Sequence, residues 1–207
     1  GVFQVAKMGL ILTKDKILNI FDLLLDSKLL KNKKSVEAFC NYNNLPFFKE
    51  KNINNSEFVS KLKDLDLDLI VSFSAPSIFK SELLSLPKKG CINLHCSLLP
   101  RYSGILPSFW TLFNDEKETG ATVHYMDDEI DNGDILGQKS VEILKSDSMF
   151  DIIKRTKKTG GTLMVDVIHN IMTNNIKLIK NKVNHEKYHS WPTDLDFKNF
   201  AKKRNLI

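Results

Sequence analysis

Paired cysteines and long apolar runs are what this 207-residue chain lacks. The cysteines Cys40, Cys91 and Cys96 are odd in number and form no C-x-x-C motif, so we expect no disulfide framework and a reducing, cytoplasmic setting. The longest uncharged stretches near the N-terminus, 1–6 and 8–13, are far too short to span a bilayer. No cleavage-site pattern follows a compact apolar run, so we expect neither a signal peptide nor a membrane protein.

The charge balance is basic, with a net charge of +5 and an isoelectric point near 9.0. This balance is compatible with an anionic partner such as RNA or a phosphorylated ligand, and equally with a solvated lysine-rich surface. Apolar residues make up 42% of the chain and charged residues 27%, which is typical of a soluble globular protein. The length suits one α/β domain, or one domain with a small appendage.

Short apolar runs alternate with helical patterns along most of the chain. The runs at 67–73, 90–95, 121–126 and 135–143 predict strands, of which the last alternates and is expected near a sheet edge. The spacing of apolar residues over 1–34 predicts helix. Strands that alternate with helices indicate an open, mostly parallel twisted α/β sheet with helices on both faces.

Three segments divide the predicted organisation: a helical N-terminal segment 1–34, a main domain 35–183, and a C-terminal loop and helix 184–207. Within the main domain, Ser148 with its capping-box partner Asp151 predicts the start of a long helix. The Gly160-Gly161 pair in that helix predicts close packing or a kink.

Polar residues cluster where the predicted strands end. The three loops that follow the buried strands are 74–78, 93–104 and 127–134. Ligands bind at the carboxyl ends of strands in open α/β sheets, so we expect these loops to converge. Together with the strand ends they hold an amide, two imidazoles and five carboxylates: Asn93, His95, His124, Asp127, Asp128, Glu129, Asp131 and Asp134.

Several chemistries are compatible with this cluster. A metal site is disfavoured because asparagine is a poor zinc ligand and no H-x-x-H motif occurs, and a serine or cysteine nucleophile is disfavoured because no G-x-S-x-G elbow occurs. Asn93 and His95, on one face of a strand, can both stabilise an oxyanion at a carbonyl. Asp131 can then keep His95 charged and relay a proton. A purely structural Asn–His–Asp network that holds the loops together remains equally compatible with the spacing.

The order of motifs over residues 90–136 resembles the folate-dependent formyltransferase family. The resemblance is strong from Leu69 to Gln138 and weaker over 35–68 and 139–200, and it implies that family's Rossmann-like fold. The family's first strand has no counterpart in the predicted helical 1–34, so we expect Gly1 to be an internal residue of a longer protein. The motif Asn-x-His-x-Ser-Leu-Leu-Pro, then an aromatic residue-x-Gly, then Asp-x-Gly falls on Asn93, His95, Ser97, Leu98, Leu99, Pro100, Tyr102, Gly104, Asp131 and Gly133.

The resemblance implies a site. Its catalytic residues would be Asn93, His95 and Asp131, with no metal, and its formyl donor would be 10-formyltetrahydrofolate. The pterin of that donor would lie against two loops, with a neighbouring wall formed by a third segment. These expected donor-binding residues are Ala75, Pro76, Ser77, Ile78, Met126, Asp128 and Ile130, with Ser97, Leu98, Leu99 and Pro100 in the wall.

The resemblance also implies a primary amine as acceptor. The segments around Pro107 and Asp131 are similar to the branches that formylate methionyl-tRNA and amino sugars, and "GCIN" is closest to the tRNA branch. Methionyl-tRNA is therefore the expected acceptor. The alternatives are a sugar-nucleotide amine or a truncated, non-catalytic binding module. Cys96 departs from the glycine or proline that is common at its position, which we interpret as a packing variation.

Overall fold

The computed structural model describes the backbone of residues 8–12, together with residues 36–75, 77–183 and 188–203. The chain forms two compact units, Gly1–Ile92 and Asn93–Ile207. The boundary falls within one β-strand, between its second and third residues.

In its described residues, the first unit pairs two strands and carries three short helices. Asn55 starts the second helix, because its side chain accepts hydrogen bonds from the backbone N–H groups of Glu57 and Phe58. Val59 and Leu62 on that helix are buried, so this face of the helix packs inward. In chain order the elements are β1 Met8–Leu12, α1 Val36–Tyr42, α2 Ser56–Lys63, β2 Leu69–Phe73 and α3 Ser81–Leu84.

The prediction of helix throughout 1–34 is wrong for Met8–Leu12. This stretch is β1, which pairs antiparallel with β2 so that Met8 lies opposite Phe73. Its five residues form one unbroken apolar run, and periodicity alone does not distinguish a buried strand from a helix in so short a run. The rest of 1–34 lies outside the described residues.

The second unit begins within β3 and continues to the last helix. Its elements are β3 Cys91–His95, α4 Pro107–Phe113, β4 Glu118–Tyr125, β5 Ile135–Glu142, α5 Met149–Met172 and α6 Asp194–Lys203. The five strands of the described ranges are hydrogen-bonded in chain order, which gives an open sheet with β5 last, at the edge that its alternating sequence predicts. The sheet is mixed, since β1·β2 and β4·β5 are antiparallel. The predicted open α/β fold is confirmed.

Helix α5 begins at the capping box that the sequence predicts. The Ser148 hydroxyl accepts the N–H of Asp151, and the Asp151 carboxylate accepts the N–H of Ser148. The helix runs unbroken through Gly160 and buries a face that includes Leu163 and Met164. Although α5 is 24 residues long, neither it nor another helix of the described residues is both long and apolar enough to cross a membrane.

Gly160 allows α5 to approach the sheet closely. A Cβ built at Gly160 would lie 2.7 Å from Cδ1 of Leu94 on β3 and 3.2 Å from Cβ of Ala121 on β4, whereas a Cβ at Gly161 would meet nothing within 4 Å. We expect Gly160→Val to lower the free energy of unfolding by about 1–3 kcal/mol through overpacking. The matched change Gly161→Val should be neutral or slightly stabilising, because valine is a better helix former than glycine. Equal denaturation midpoints for the two variants would contradict this packing.

Candidate active site

The ends of β3 and β4 bring four polar side chains of the second unit together. Asn93 and His95 leave β3 on one face, as their spacing predicts, and His124 lies near the end of β4. Asp131, from the loop that follows β4, lies between the two imidazoles. Its Oδ2 atom is 3.4 Å from Nδ1 of His95, and its Oδ1 atom is 3.6 Å from Nε2 of His124. The predicted convergence of these residues is therefore observed.

Asp131 is held firmly in this position. Its backbone adopts the left-handed conformation, with φ of 53°, and its side chain is only 9% exposed. The backbone N–H of Gly104 donates a hydrogen bond of 2.8 Å to Oδ2. Burial by itself would raise the pKa of this carboxyl, but His95, His124 and the Gly104 N–H together outweigh burial and lower it. Asp131 is consequently ionised at neutral pH.

His124 orients Asn93. Its Nδ1 atom lies 2.7 Å from the backbone carbonyl oxygen of Tyr125, and its Nε2 atom lies 3.3 Å from the side-chain Nδ2 of Asn93. A carbonyl oxygen only accepts, so Nδ1 carries a hydrogen, and in the neutral tautomer of the ring Nε2 accepts from the amide of Asn93. This bond uses one of the two amide hydrogens of Asn93. The sequence grouped His124 with the site because it lies near a strand end, but it assigned His124 no role.

His95 is buried between two acceptors. Its Nε2 atom lies 2.8 Å from the backbone carbonyl oxygen of Tyr102, and its Nδ1 atom faces Asp131. Two acceptors favour the doubly protonated imidazolium, but the side chain is only 7% exposed. Burial has the larger effect and lowers the pKa of His95, with Asp131 and the Tyr102 carbonyl opposing it. The expectation that Asp131 keeps His95 charged is therefore wrong for the protein by itself.

We expect an NMR titration to place the pKa of His95 below the ordinary value of about 6.5. The change Asp131→Asn should lower this pKa further, because it removes the neighbouring negative charge. Asp166→Asn, which changes an exposed carboxylate on α5 that pairs with Lys139, should leave it unchanged. The unfolded chain binds this proton at higher pH than the folded protein does, so the contribution of His95 to stability is lost as pH falls below about 6.5. A pKa of His95 above that value would contradict the assignment.

Hydrogen bonds between its own residues stabilise the loop that carries Asp131. The carboxylate of Asp127 accepts the N–H of Glu129 at 3.0 Å and the side-chain amide of Asn132 at 2.8 Å. Of the expected donor-binding residues on this loop, Met126 is half-buried and Asp128 is exposed. Ile130, next to Asp131, is 40% exposed although it is apolar. The loop thus presents an apolar side chain directly beside the carboxylate.

The expected wall 97–100 is fastened to the sheet. Ser97 and Leu99 are buried, Leu98 is half-buried, and Pro100 is exposed. The Thr122 hydroxyl on β4 donates to the carbonyl oxygen of Ser97 at 2.6 Å and accepts the N–H of Leu99 at 3.1 Å. These bonds fix the shape of the segment, and contact with a formyl donor remains a prediction.

Pro100 lines a cavity of about 340 Å³ together with Arg101, Tyr102, Asn114, Glu116, Lys182 and His189.

In the first unit, the loop after β2 is organised by Asn54. The Asn54 side chain donates to the carbonyl oxygen of Ile78 and accepts the N–H of Lys80, both at 2.9 Å. Ala75 and Ser77 are half-buried, and Ile78 is 61% exposed. Pro76 lies outside the described residues.

The Cys96 thiol and the metal-ligating side chains are further candidates for chemistry. Burial raises the pKa of the Cys96 thiol, which makes this neighbour of His95 a poor nucleophile. Among residues 36–75, 77–183 and 188–203, no group of three or more histidine, cysteine and acidic side chains is arranged to hold a metal ion.

Comparison with known proteins points to one protein family. A family model described as formyl transferase matches residues 16–168. Over 134 residues the chain is 37% identical to the methionyl-tRNA formyltransferase of Desulforamulus reducens, a match that covers 65% of this chain. The same match covers only 42% of that protein, so the chain spans less than half the length of this relative.

Solved structures of related proteins have the same fold. A 4-N formyltransferase from Francisella tularensis superposes with a TM-score of 0.60 at 28% identity, over 89% of this chain and 75% of that one. The sugar 3N-formyl transferase WlaRD, solved in the presence of dTDP and 5-N-formyl-THF, superposes with a TM-score of 0.58 at 25% identity, over 82% of this chain and 56% of that one.

Proposed function

Because this chain belongs to the formyl transferase family, we propose that it moves a formyl group from 10-formyltetrahydrofolate to a primary amine. The observation that carries the proposal is the cluster of Asn93, His95, His124 and Asp131, in which an amide donor and a buried imidazole–carboxylate pair lie side by side. The catalytic residues proposed are Asn93, His95 and Asp131. The unpaired cysteines are compatible with action in the cytoplasm.

The reaction needs a group that stabilises negative charge. The nitrogen of the amine attacks the formyl carbon and forms a new C–N bond, and the carbonyl oxygen becomes an oxyanion. Asn93 donates its second amide hydrogen to this oxygen, because the first is already bound to His124. The original C–N bond then breaks, and the carbonyl is restored.

The reaction also moves one proton, from the attacking nitrogen to the nitrogen that leaves. Asp131 is ionised and faces His95, which is neutral in the protein by itself. When the pair takes up the proton, the imidazolium has an acceptor on each ring nitrogen, namely Asp131 and the Tyr102 carbonyl. His95 and Asp131 therefore hold the proton until the leaving nitrogen takes it.

The formyl donor requires apolar surface for its flat pterin ring and backbone groups for the ring edge. In the second unit, Ile130 is large, apolar and exposed, in a loop where donor contact is expected. The residues proposed to bind the donor remain Ala75, Pro76, Ser77, Ile78, Met126, Asp128 and Ile130, with Ser97 to Pro100 beside them. The relative WlaRD was solved with a formyl-folate, which supports a folate donor for this chain.

For the acceptor, we propose methionyl-tRNA. Support comes from the relative of Desulforamulus reducens and from the net charge of +5, which suits an RNA partner. A sugar-nucleotide amine is the second candidate, favoured by the likeness to the sugar 3N-formyl transferase WlaRD over 82% of this chain. A non-catalytic binding module is the third, and it would retain donor binding without transfer.

The deciding experiment incubates the protein with 10-formyltetrahydrofolate and a set of acceptors: methionyl-tRNA, amino-sugar nucleotides and glycinamide ribonucleotide. Mass spectrometry of each acceptor detects the added formyl group. We expect formylation of methionyl-tRNA and none of deacylated tRNA, which lacks the amine. Formylation of a sugar nucleotide alone would move the assignment to the second candidate. Donor binding with no formylated acceptor would favour the third.

A further inference from the structure

Asn181 lies behind the turn that carries Asp131. It belongs to the segment between α5 and α6, fifty residues away in sequence, and is only 5% exposed. Its side-chain Nδ2 donates to the backbone carbonyl oxygen of Asp131 at 2.7 Å and to that of Gly133 at 3.2 Å. One amide group therefore ties together both ends of the three-residue turn.

This turn is conformationally demanding. Asp131 adopts a positive φ, which non-glycine residues rarely do. A Cβ at Gly133 would lie 2.1 Å from the carbonyl oxygen of Tyr125, so the turn is pressed against the end of β4. Such a conformation persists only where its surroundings hold it in place.

The side-chain amide of Asn181 lowers the stability of the fold through its oxygen atom. Its Oδ1 atom is buried and has no hydrogen-bond partner among the residues that the structure describes. A buried acceptor without a partner is destabilising, and leucine, with a side chain of similar size, would avoid that penalty. The two hydrogen bonds that Nδ2 donates to the turn are what an asparagine supplies here and a leucine would not.

The position of Asn181 is fixed by the sheet. Two residues earlier, Ile179 forms an antiparallel bridge with Ile135 at the start of β5, through hydrogen bonds of 2.8 and 2.9 Å. Ile135 follows the turn 131–133 closely in sequence. The bridge therefore anchors Asn181 beside the turn to which it donates its hydrogen bonds.

We propose that Asn181 is a positioning residue that holds the Asp131 carboxylate against His95 and the Gly104 N–H by binding the backbone on both sides of it. Its kinetic consequence rests on the function proposed above. Its geometric consequence, the position of the Asp131 carboxylate, does not.

The geometric consequence is tested in Asn181→Leu, which removes both hydrogen bonds with little change in volume. NMR follows the amide proton of Gly104, which bonds to Asp131, and the titration of His95. We expect the Gly104 proton to lose the downfield shift of a charge-assisted hydrogen bond. We also expect the pKa of His95 to fall, because Asp131 raises it and would lie farther away. A lower melting temperature with both signals unchanged would overturn the proposal. If the leucine variant does not fold, Asn181→Ala is measured in the same way.

The kinetic consequence is tested with the same variants. We expect kcat for formyl transfer to fall by about 10- to 100-fold, the scale of a small misplacement of a catalytic group. The matched control is Asn43→Ala, which removes an asparagine-to-carbonyl hydrogen bond in the first unit and should leave kcat unchanged. Wild-type kcat in a folded Asn181 variant would overturn the proposal. If the wild-type protein transfers no formyl group, the proposed function fails, while the NMR result still decides the role of Asn181.

Discussion

Replacing Asp131 by asparagine is expected to lower kcat for formyl transfer by about 1000-fold or more, with the fold retained. Asparagine matches aspartate in shape and can still accept the hydrogen bond from Gly104. It lacks the negative charge, so it can neither take up the proton of the attacking amine nor stabilise a protonated His95, 3.4 Å away.

Steady-state kinetics of Asp131→Asn, at saturating formyl donor and acceptor, measure this loss. The control is Asp166→Asn, which also converts a carboxylate to an amide, on the exposed side of α5. It should retain wild-type kcat. Circular dichroism and thermal unfolding establish that both variants are folded. Near wild-type turnover by Asp131→Asn would remove Asp131 from the mechanism.

Replacing Asn93 by alanine is expected to lower kcat by about 100- to 1000-fold, the usual effect of deleting one donor to an oxyanion. The change removes the second amide hydrogen of Asn93, and it leaves Nε2 of His124 without its donor. Because Asn93 acts on charge that develops during the reaction, the effect should fall mainly on kcat rather than on KM.

The same assay with Asn43→Ala supplies the control for Asn93→Ala, since both changes delete an asparagine side chain from the same protein. Binding of the formyl donor to Asn93→Ala, measured by calorimetry, should stay close to wild type. A tenfold loss of donor affinity with unchanged kcat would contradict the role assigned to Asn93.

The strands were predictable from sequence where their burial produces a short apolar run or an alternating pattern. The runs that became β2 and β3 are short and buried on both faces, and the alternating run that became β5 lies at the sheet edge as expected. β1 was missed because a five-residue apolar run at Met8–Leu12 suits a helix equally well. Its identity depends on pairing with β2, about sixty residues away in sequence, which local periodicity does not contain.

The candidate site was predictable only in part. The spacing of Asn93 and His95 on one strand and the loop position of Asp131 indicated that these side chains converge, and they do. The bond from Asn93 to His124 and the bonds from Asn181 to the Asp131 turn join residues 31 to 50 positions apart. No sequence pattern reveals such pairs, because they depend on how loops fold back onto the sheet.

The protonation state of His95 was predicted incorrectly for a related reason. The sequence indicated a neighbouring carboxylate, which raises the pKa of a histidine, but it did not indicate how deeply the pair is buried. Burial has the larger effect. The neutral imidazole that results is well suited to receive a proton, with two acceptors already in place.

The most direct test of the central claim is a single-turnover experiment with 10-formyltetrahydrofolate labelled at the formyl carbon. Protein in excess over the labelled donor is mixed with methionyl-tRNA, and the label on the amine is followed over time. We expect one label transferred per donor by the wild-type protein, and transfer slowed by at least about 100-fold in Asn93→Ala and Asp131→Asn. The contradicting result is a wild-type protein that binds the donor while the label stays on it, or variants that transfer the label as fast as the wild type.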